Sequence, residues 1–113
     1  MNEELKQIFG DSISVKGASV PCAHLHYNGK ARTYIVWSII SNSGELYADD
    51  ELLYSAVTVD IDVFSAGNYI DVITEIKRTM KEKEWIWLED SADMYEEDTA
   101  LYHKTLTFTK EGE

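Results

Sequence analysis

Cysteine and proline each occur once in these 113 residues, as Cys22 and Pro21, and each scarcity excludes something. A single thiol allows no internal disulfide, so the fold rests on a hydrophobic core and the composition fits a reducing compartment. No Pro- or Ser-rich linker is present, and no segment repeats at the ~20–50-residue periods of solenoids. The longest apolar run, Tyr34 to Ile40, is seven residues with Ser38 inside it, far short of the ~20 that span a bilayer. The opening Met1-Asn2-Glu3-Glu4 is acidic where an export signal carries a basic segment, so the expectation is a soluble protein made inside the cell. Basic residues are the last shortage. Ten Lys plus Arg face 21 Asp plus Glu, a net charge of −11, which disfavours stable binding to phosphate backbones without forbidding a passing contact with DNA.

Apolar residues make up 44% of the chain, with 3 Trp, 7 Tyr and 3 Phe. That is enough to fill one core, and the length argues for one domain over residues 1–113. Leu5, Ile8 and Phe9 share one side of a short helix over 3–9, which Gly10 stops. Residues 18–25 read as extended, with Pro21 at an edge or turn. Asn28-Gly29 is a two-residue hairpin signal that joins this arm to a strand over 32–40. In that strand Ile35, Trp37 and Ile39 face one way, and Tyr34, Val36 and Ile40 the other. Ser41-Asn42-Ser43-Gly44 reads as a turn, prolonged by an acidic loop to Glu51.

The clearest alternation lies in 56–64, where Val57, Val59, Ile61 and Val63 alternate with Ala56, Thr58, Asp60 and Asp62, one side core and the other wet. Asn68 then reads as an N-cap with Asp71 three residues on. The helix it opens runs to about Lys83, with Tyr69, Val72, Ile73, Ile76 and Met80 as its apolar stripe. Trp85 to Leu88 and Leu101 to Thr109 read as strands, the latter with Tyr102, Leu106 and Phe108 on one face. Between them Glu89–Asp98 carries six acids in ten residues and reads as a solvated loop. The order indicates an α+β domain: an antiparallel-rich mixed sheet with one long helix packed across it and a short N-terminal helix.

No residue acquires a catalytic, cofactor or metal role. There is no Walker loop, no Gly-x-Ser-x-Gly and no Gly-x-Gly-x-x-Gly. Cys22, His24 and His26 have zinc-ligand chemistry and, on an extended strand, share a face, but a second ligand motif is missing and His103 stands alone. The acids of 89–98 lack the spacing and glycine of a calcium loop. Asp60 and Asp62 read as the polar side of a sheet, without a nucleophile beside them. Tyr34, Tyr47, Tyr54, Tyr95 and Tyr102 fall in or near loops and strand ends, a placement that suits protein interfaces.

The blocks Thr33-Tyr34-Ile35-Val36, Tyr47-Ala48-Asp49-Asp50, Val59 to Ser65 before Gly67-Asn68-Tyr69, and Asp93 to Lys104 resemble the tail completion, or tail terminator, proteins of siphophages and Gram-positive prophages. The resemblance runs from about Val20 to Phe108. It implies a small α+β structural protein of the virion, made in the bacterial host cytoplasm and placed at the junction of tail and head. Its copies would form a ring, commonly of six, on the last ring of the tail tube protein. That ring would stop tube growth, meet the head connector or stopper protein, and leave a channel through which DNA passes without specific binding. An acid-lined channel would suit that passage.

On this reading the contacts fall in the loops 41–55 and 89–100, with Tyr47, Asp49, Asp50, Tyr95, Glu96, Glu97 and Asp98 as interface residues, no cofactor and no membrane. Two other classes fit the same composition. One is a head connector, stopper or minor tail protein. The other is an acidic immunity or inhibitor module that captures a basic partner by electrostatic steering.

Overall fold

The computed structural model describes residues 2–48, 51–67 and 69–112, with side chains for 4–40, 57–67 and 69–110. The element order is α1 (Asn2–Phe9), β1 (Ser12–Val15), β2 (Ala18–His24), β3 (Thr33–Ala48), β4 (Glu51–Ser65), α2 (Ile70–Glu82), β5 (Ile86–Asp90), β6 (Met94–Glu96) and β7 (Leu101–Gly112). Seven strands make one sheet in the order β1-β2-β3-β4-β7-β5, and β6 pairs with β7 beside β5. Among the described strands only β2 and β3 run parallel. The result is a sheet-dominated α+β domain with one longer helix and one short one, as the patterning indicates.

The alternation in β4 decides which face is filled. Val59, Ile61 and Val63 are fully buried and join Ile35, Trp37, Leu106 and Phe108 in one core with Val72, Ile76 and Met80 of α2. Each such side chain contributes about 1.5–3 kcal/mol by leaving water. Tyr69 and Ile73 complete the stripe as partly buried members. The eight-residue α1 is too short to persist alone. It is held because Leu5 and Phe9 are buried in the same core. Glu4 adds a polar tie, accepting from Trp85 Nε1 at 2.8 Å and from Lys110 Nζ at 2.9 Å. Phe9 stacks near Trp37, with centroids 6.4 Å apart.

Four expectations are corrected. The tight hairpin lies at Lys16-Gly17, between Val15 and Ala18, with φ of 50° and 86°, the left-handed pair that a two-residue turn needs. Asn28-Gly29 instead sits in the 25–32 connection between two parallel strands. A crossover this short suffices because only Cys22, Ala23 and His24 pair with β3 and the chain has little distance to retrace.

The stretch 41–55 is not a loop. Residues of β3 and β4 remain paired out to Ala48 and Glu51, so strands of 16 and 15 residues form a long arm. At ~3.3 Å per residue such strands run about 50 Å, matching the longest dimension of 52 Å. Register shifts near Ser41, Gly44 and Leu46 absorb the Ser, Asn and Gly that read as a turn. β7 follows β4 as far as Ser55 opposite Gly112, so the arm is three-stranded at its base and two-stranded beyond.

The acidic stretch 89–100 is part strand and part turn. Glu89 and Asp90 pair with Thr107 and Leu106, and Met94–Glu96 with Leu101–His103, closed by a turn in which Ala100 N donates to Glu96 O at 2.8 Å. Finally, the N-cap of α2 is Tyr69, which makes no side-chain cap bond; Asn68, expected there, lies outside the described residues.

Candidate functional site

With one sheet face taken up by the helices, the other carries the remaining alternate residues of β3, β4 and β7. Tyr34 is opposite Phe64, and Phe64 opposite His103. Together with Tyr27 from the 25–32 connection these rings form a continuous row. Centroids are 4.3 Å apart for Tyr27 and Tyr34, 4.8 Å for Tyr34 and Phe64, and 4.2 Å for Phe64 and His103. Stacking face against face, the rings fill one another's faces and turn their edges outward, which suits a rigid brace better than an open stacking platform.

Beside this row runs a carboxylate–hydroxyl ladder. Asp62 Oδ1 meets His103 Nε2 at 3.0 Å and also accepts from Thr105 Oγ1; Asp60 Oδ1 accepts from Thr107 Oγ1 at 2.7 Å. Glu96 Oε2 lies 3.8 Å from His103 Nδ1. Burial, then the nearby Glu96 charge, pushes the Tyr34 hydroxyl pKa up. Lys104 and Lys110 stand opposite the buried Val63 and Val57, so they project toward the helices. Among the described residues of β3, β4 and β7, no Lys or Arg reaches the open face. A cavity of about 240 Å³ opens there, lined by Leu25, His26, Tyr27, Tyr34, Val36, Asp62 and Phe64.

A second surface lies along the β5–β6 edge. Ile86, Trp87, Leu88, Met94, Tyr95 and Tyr102 are all exposed, Trp87 to 51%. An apolar strand edge left open is unusual, because proteins normally blunt such edges with charge or cover them. The Trp87 indole is nonetheless fixed in place. Its Nε1 donates to Asp90 Oδ1 at 2.7 Å, and Lys77 Nζ sits 4.9 Å over the ring while bonding Asp90 Oδ2 at 2.8 Å. Burial would raise the Asp90 pKa, but the Lys77 and Trp87 donors prevail and hold it low. Nearby, Tyr69 of the α2 cap donates to Asp93. Burial and that bond push the Tyr69 hydroxyl to about 12, while the same bond and Lys104 lower Asp93.

Of the sequence-derived interface residues, the structure brings Tyr95, Glu96, Glu97 and Asp98 to this edge. Tyr95 and Glu96 are in β6, and Tyr95 packs 5.0 Å from Tyr102; Glu97 and Asp98 are exposed in the turn that follows. Tyr47 falls in the arm opposite Leu52, with its side chain outside the described residues, as are Asp49 and Asp50 altogether. Sequence reasoning missed the exposed β5 apolar residues. The signal was present in Trp85-Ile86-Trp87-Leu88, because a strand apolar at every position must show one side unless both faces are covered.

The Cys22, His24 and His26 set is divided. Cys22 and His24 line a cavity of about 480 Å³ with Lys6, Asp11 and Trp37, and His24 stacks on Trp37 at 4.1 Å. The strand ends at His24, Leu25 takes a φ of 70°, and His26 lines the open-face cavity instead. Burial pushes the Cys22 thiol to about 12. Among the described residues no group of three His, Cys, Asp or Glu side chains is placed to hold a metal ion. No helix among them is long and apolar enough to cross a membrane. No protein-family model and no curated protein sequence matches the chain.

Proposed function

We propose that this chain is a structural assembly protein of a phage or prophage, which caps the tail tube and joins tail to head as a ring of copies around the path of the DNA. The observation that carries this reading is the presence of two unlike features on one small domain, both lying outside its core. One is the apolar β5–β6 edge, held rigid around Trp87. The other is the β3–β4 arm, paired out to Ala48 and Glu51 and longer than the domain's own core requires. Contacts between unlike surfaces of identical chains propagate head to tail, and close into a ring when the rotation permits. The two rims of such a ring would meet the tail tube protein on one side and the head connector or stopper on the other. The carboxylates of the open face, Asp60, Asp62 and Glu96, suit a surface that DNA passes without adhering.

Those same carboxylates favour a second reading, an acidic module that captures a basic partner as a monomer. The two differ in salt response. A steered inhibitor loses association rate steeply with ionic strength, whereas a ring built on aromatic and backbone contacts does not.

The test is charge reversal at the exposed turn. Glu97→Lys with Asp98→Lys leaves the purified protein folded, yet phage production no longer recovers when the double variant complements a deletion. Normal plaque numbers from the variant would reject this edge as an assembly surface.

A further inference from the structure

We infer that the open-face cavity between the 25–32 connection and β3–β4 is a receptor for one lysine side chain presented by a neighbouring protein chain. This inference stands on the cavity alone and not on the assembly reading.

Its volume of about 240 Å³ lies below the ~300–1,000 Å³ typical of small-molecule sites, a size for a side chain rather than a cofactor. The lining is mixed: Leu25, Val36, Phe64 and the two tyrosine rings supply apolar walls, beside the His26 imidazole and a single carboxylate, Asp62. A long aliphatic stem with a cationic head matches that division.

The state of Asp62 narrows the choice. Its Oδ1 already takes His103 Nε2 and Thr105 Oγ1, while Oδ2 has no hydrogen-bond partner among the described residues. One open oxygen suits the single-point contact of an ammonium group, and it forgoes the paired contact with both carboxylate oxygens that gives arginine its advantage. Charge complementarity supports the same occupant. Asp60 and Glu96 share the face with Asp62, and no Lys or Arg of the described β3, β4 or β7 residues offsets them. The site is also pre-shaped. Tyr27 is pinned by Ala31 N donating to its hydroxyl at 3.1 Å, and Phe64 is clamped between Tyr34 and His103. Little ordering is therefore left to oppose binding.

The experiment is an amide NMR titration of the full chain with N-acetyl-lysine methylamide, its Nε-acetylated neutral form, and N-acetyl-arginine methylamide. Saturable shifts are expected with the lysine compound at residues 25–27, 34–36 and 62–64, and weaker responses to the other two. Asp62→Asn weakens binding about tenfold, the loss of one charge-assisted hydrogen bond. Val36→Phe, which fills the floor and leaves Asp62 in place, removes the saturable shifts while the rest of the spectrum shows an intact fold. Equal shifts from the neutral compound, shifts spread over all acidic surfaces, or a folded Asp62→Asn variant that binds as well as the parent would each overturn the assignment.

Discussion

Asp62 and His103 stand diagonal to each other on β4 and β7, with Nε2 of His103 3.0 Å from Oδ1 of Asp62, while the same imidazole stacks on Phe64 at 4.2 Å. One residue thus joins the ring row to the carboxylate ladder, and its Nδ1 side reaches toward Glu96 in β6. His103→Ala loses a part-exposed hydrogen bond and a ring contact, a cost of about 1–2 kcal/mol. Phe64→Ala, in the middle of the row, costs about 2–3 kcal/mol. Urea denaturation measures both. If both variants keep the parent midpoint, the row does not brace the sheet.

Acid should loosen the tie between α1 and the sheet. Burial acts to raise the Glu4 pKa, yet the donors Lys110 and Trp85 outweigh it and hold it below its ordinary 4.5. A carboxyl with a lower pKa folded than unfolded contributes stability that is full above about pH 4.5 and fades as the pH falls through the folded value. Glu4→Gln therefore lowers stability at neutral pH by about 1 kcal/mol, a figure discounted for its partial exposure. It also flattens the melting temperature against pH on the acid side of about pH 4.5. A variant whose pH profile overlays the parent would remove Glu4 from that role.

The Cys22 thiol is buried and pushed to about 12. Since the thiolate is the reactive form, iodoacetamide at mildly alkaline pH leaves the folded protein unmodified and alkylates it in denaturant. Mass spectrometry reads the difference. Rapid alkylation of the native chain would contradict the burial of β2 against the core.

The turn between β1 and β2 gives a contrast of two glycine-containing pairs. Gly17 has a φ of 86°, where an added methyl is strained, so Gly17→Ala costs about 1 kcal/mol. Asn28 is exposed in a connection that makes no tight hairpin, and Asn28→Ala stays within about 0.5 kcal/mol of the parent. Equal losses at both sites would argue against this placement of the turn.

These two sites also mark what the sequence discloses and what it conceals. The stripe Val72, Ile76 and Met80 and the alternation Val57 to Val63 place the core, because burial imposes its own period on a helix and on a half-wet strand. Turn signals are weaker. Asn28-Gly29 has the right chemistry for a hairpin, but a parallel partner for β2 overrides it, and that partner is a long-range choice that no local window contains. The polar Ser41 to Gly44 segment joins a strand for the same reason, since the facing strand supplies its hydrogen bonds whatever its propensity. At the candidate surfaces, the acids of 95–98 were legible by their density. The ring row was not, because Tyr27, Tyr34, Phe64 and His103 are brought together only by register and by the 25–32 connection.

The most direct test of a role at the tail–head junction is electron microscopy of lysates from the producing strain after clean deletion of this gene, with a complemented control. Full heads lying apart from headless tails of abnormal length are the expected result. Separated parts with tails of normal length would move the protein to the connector side, and normal infectious particles would contradict an assembly role altogether.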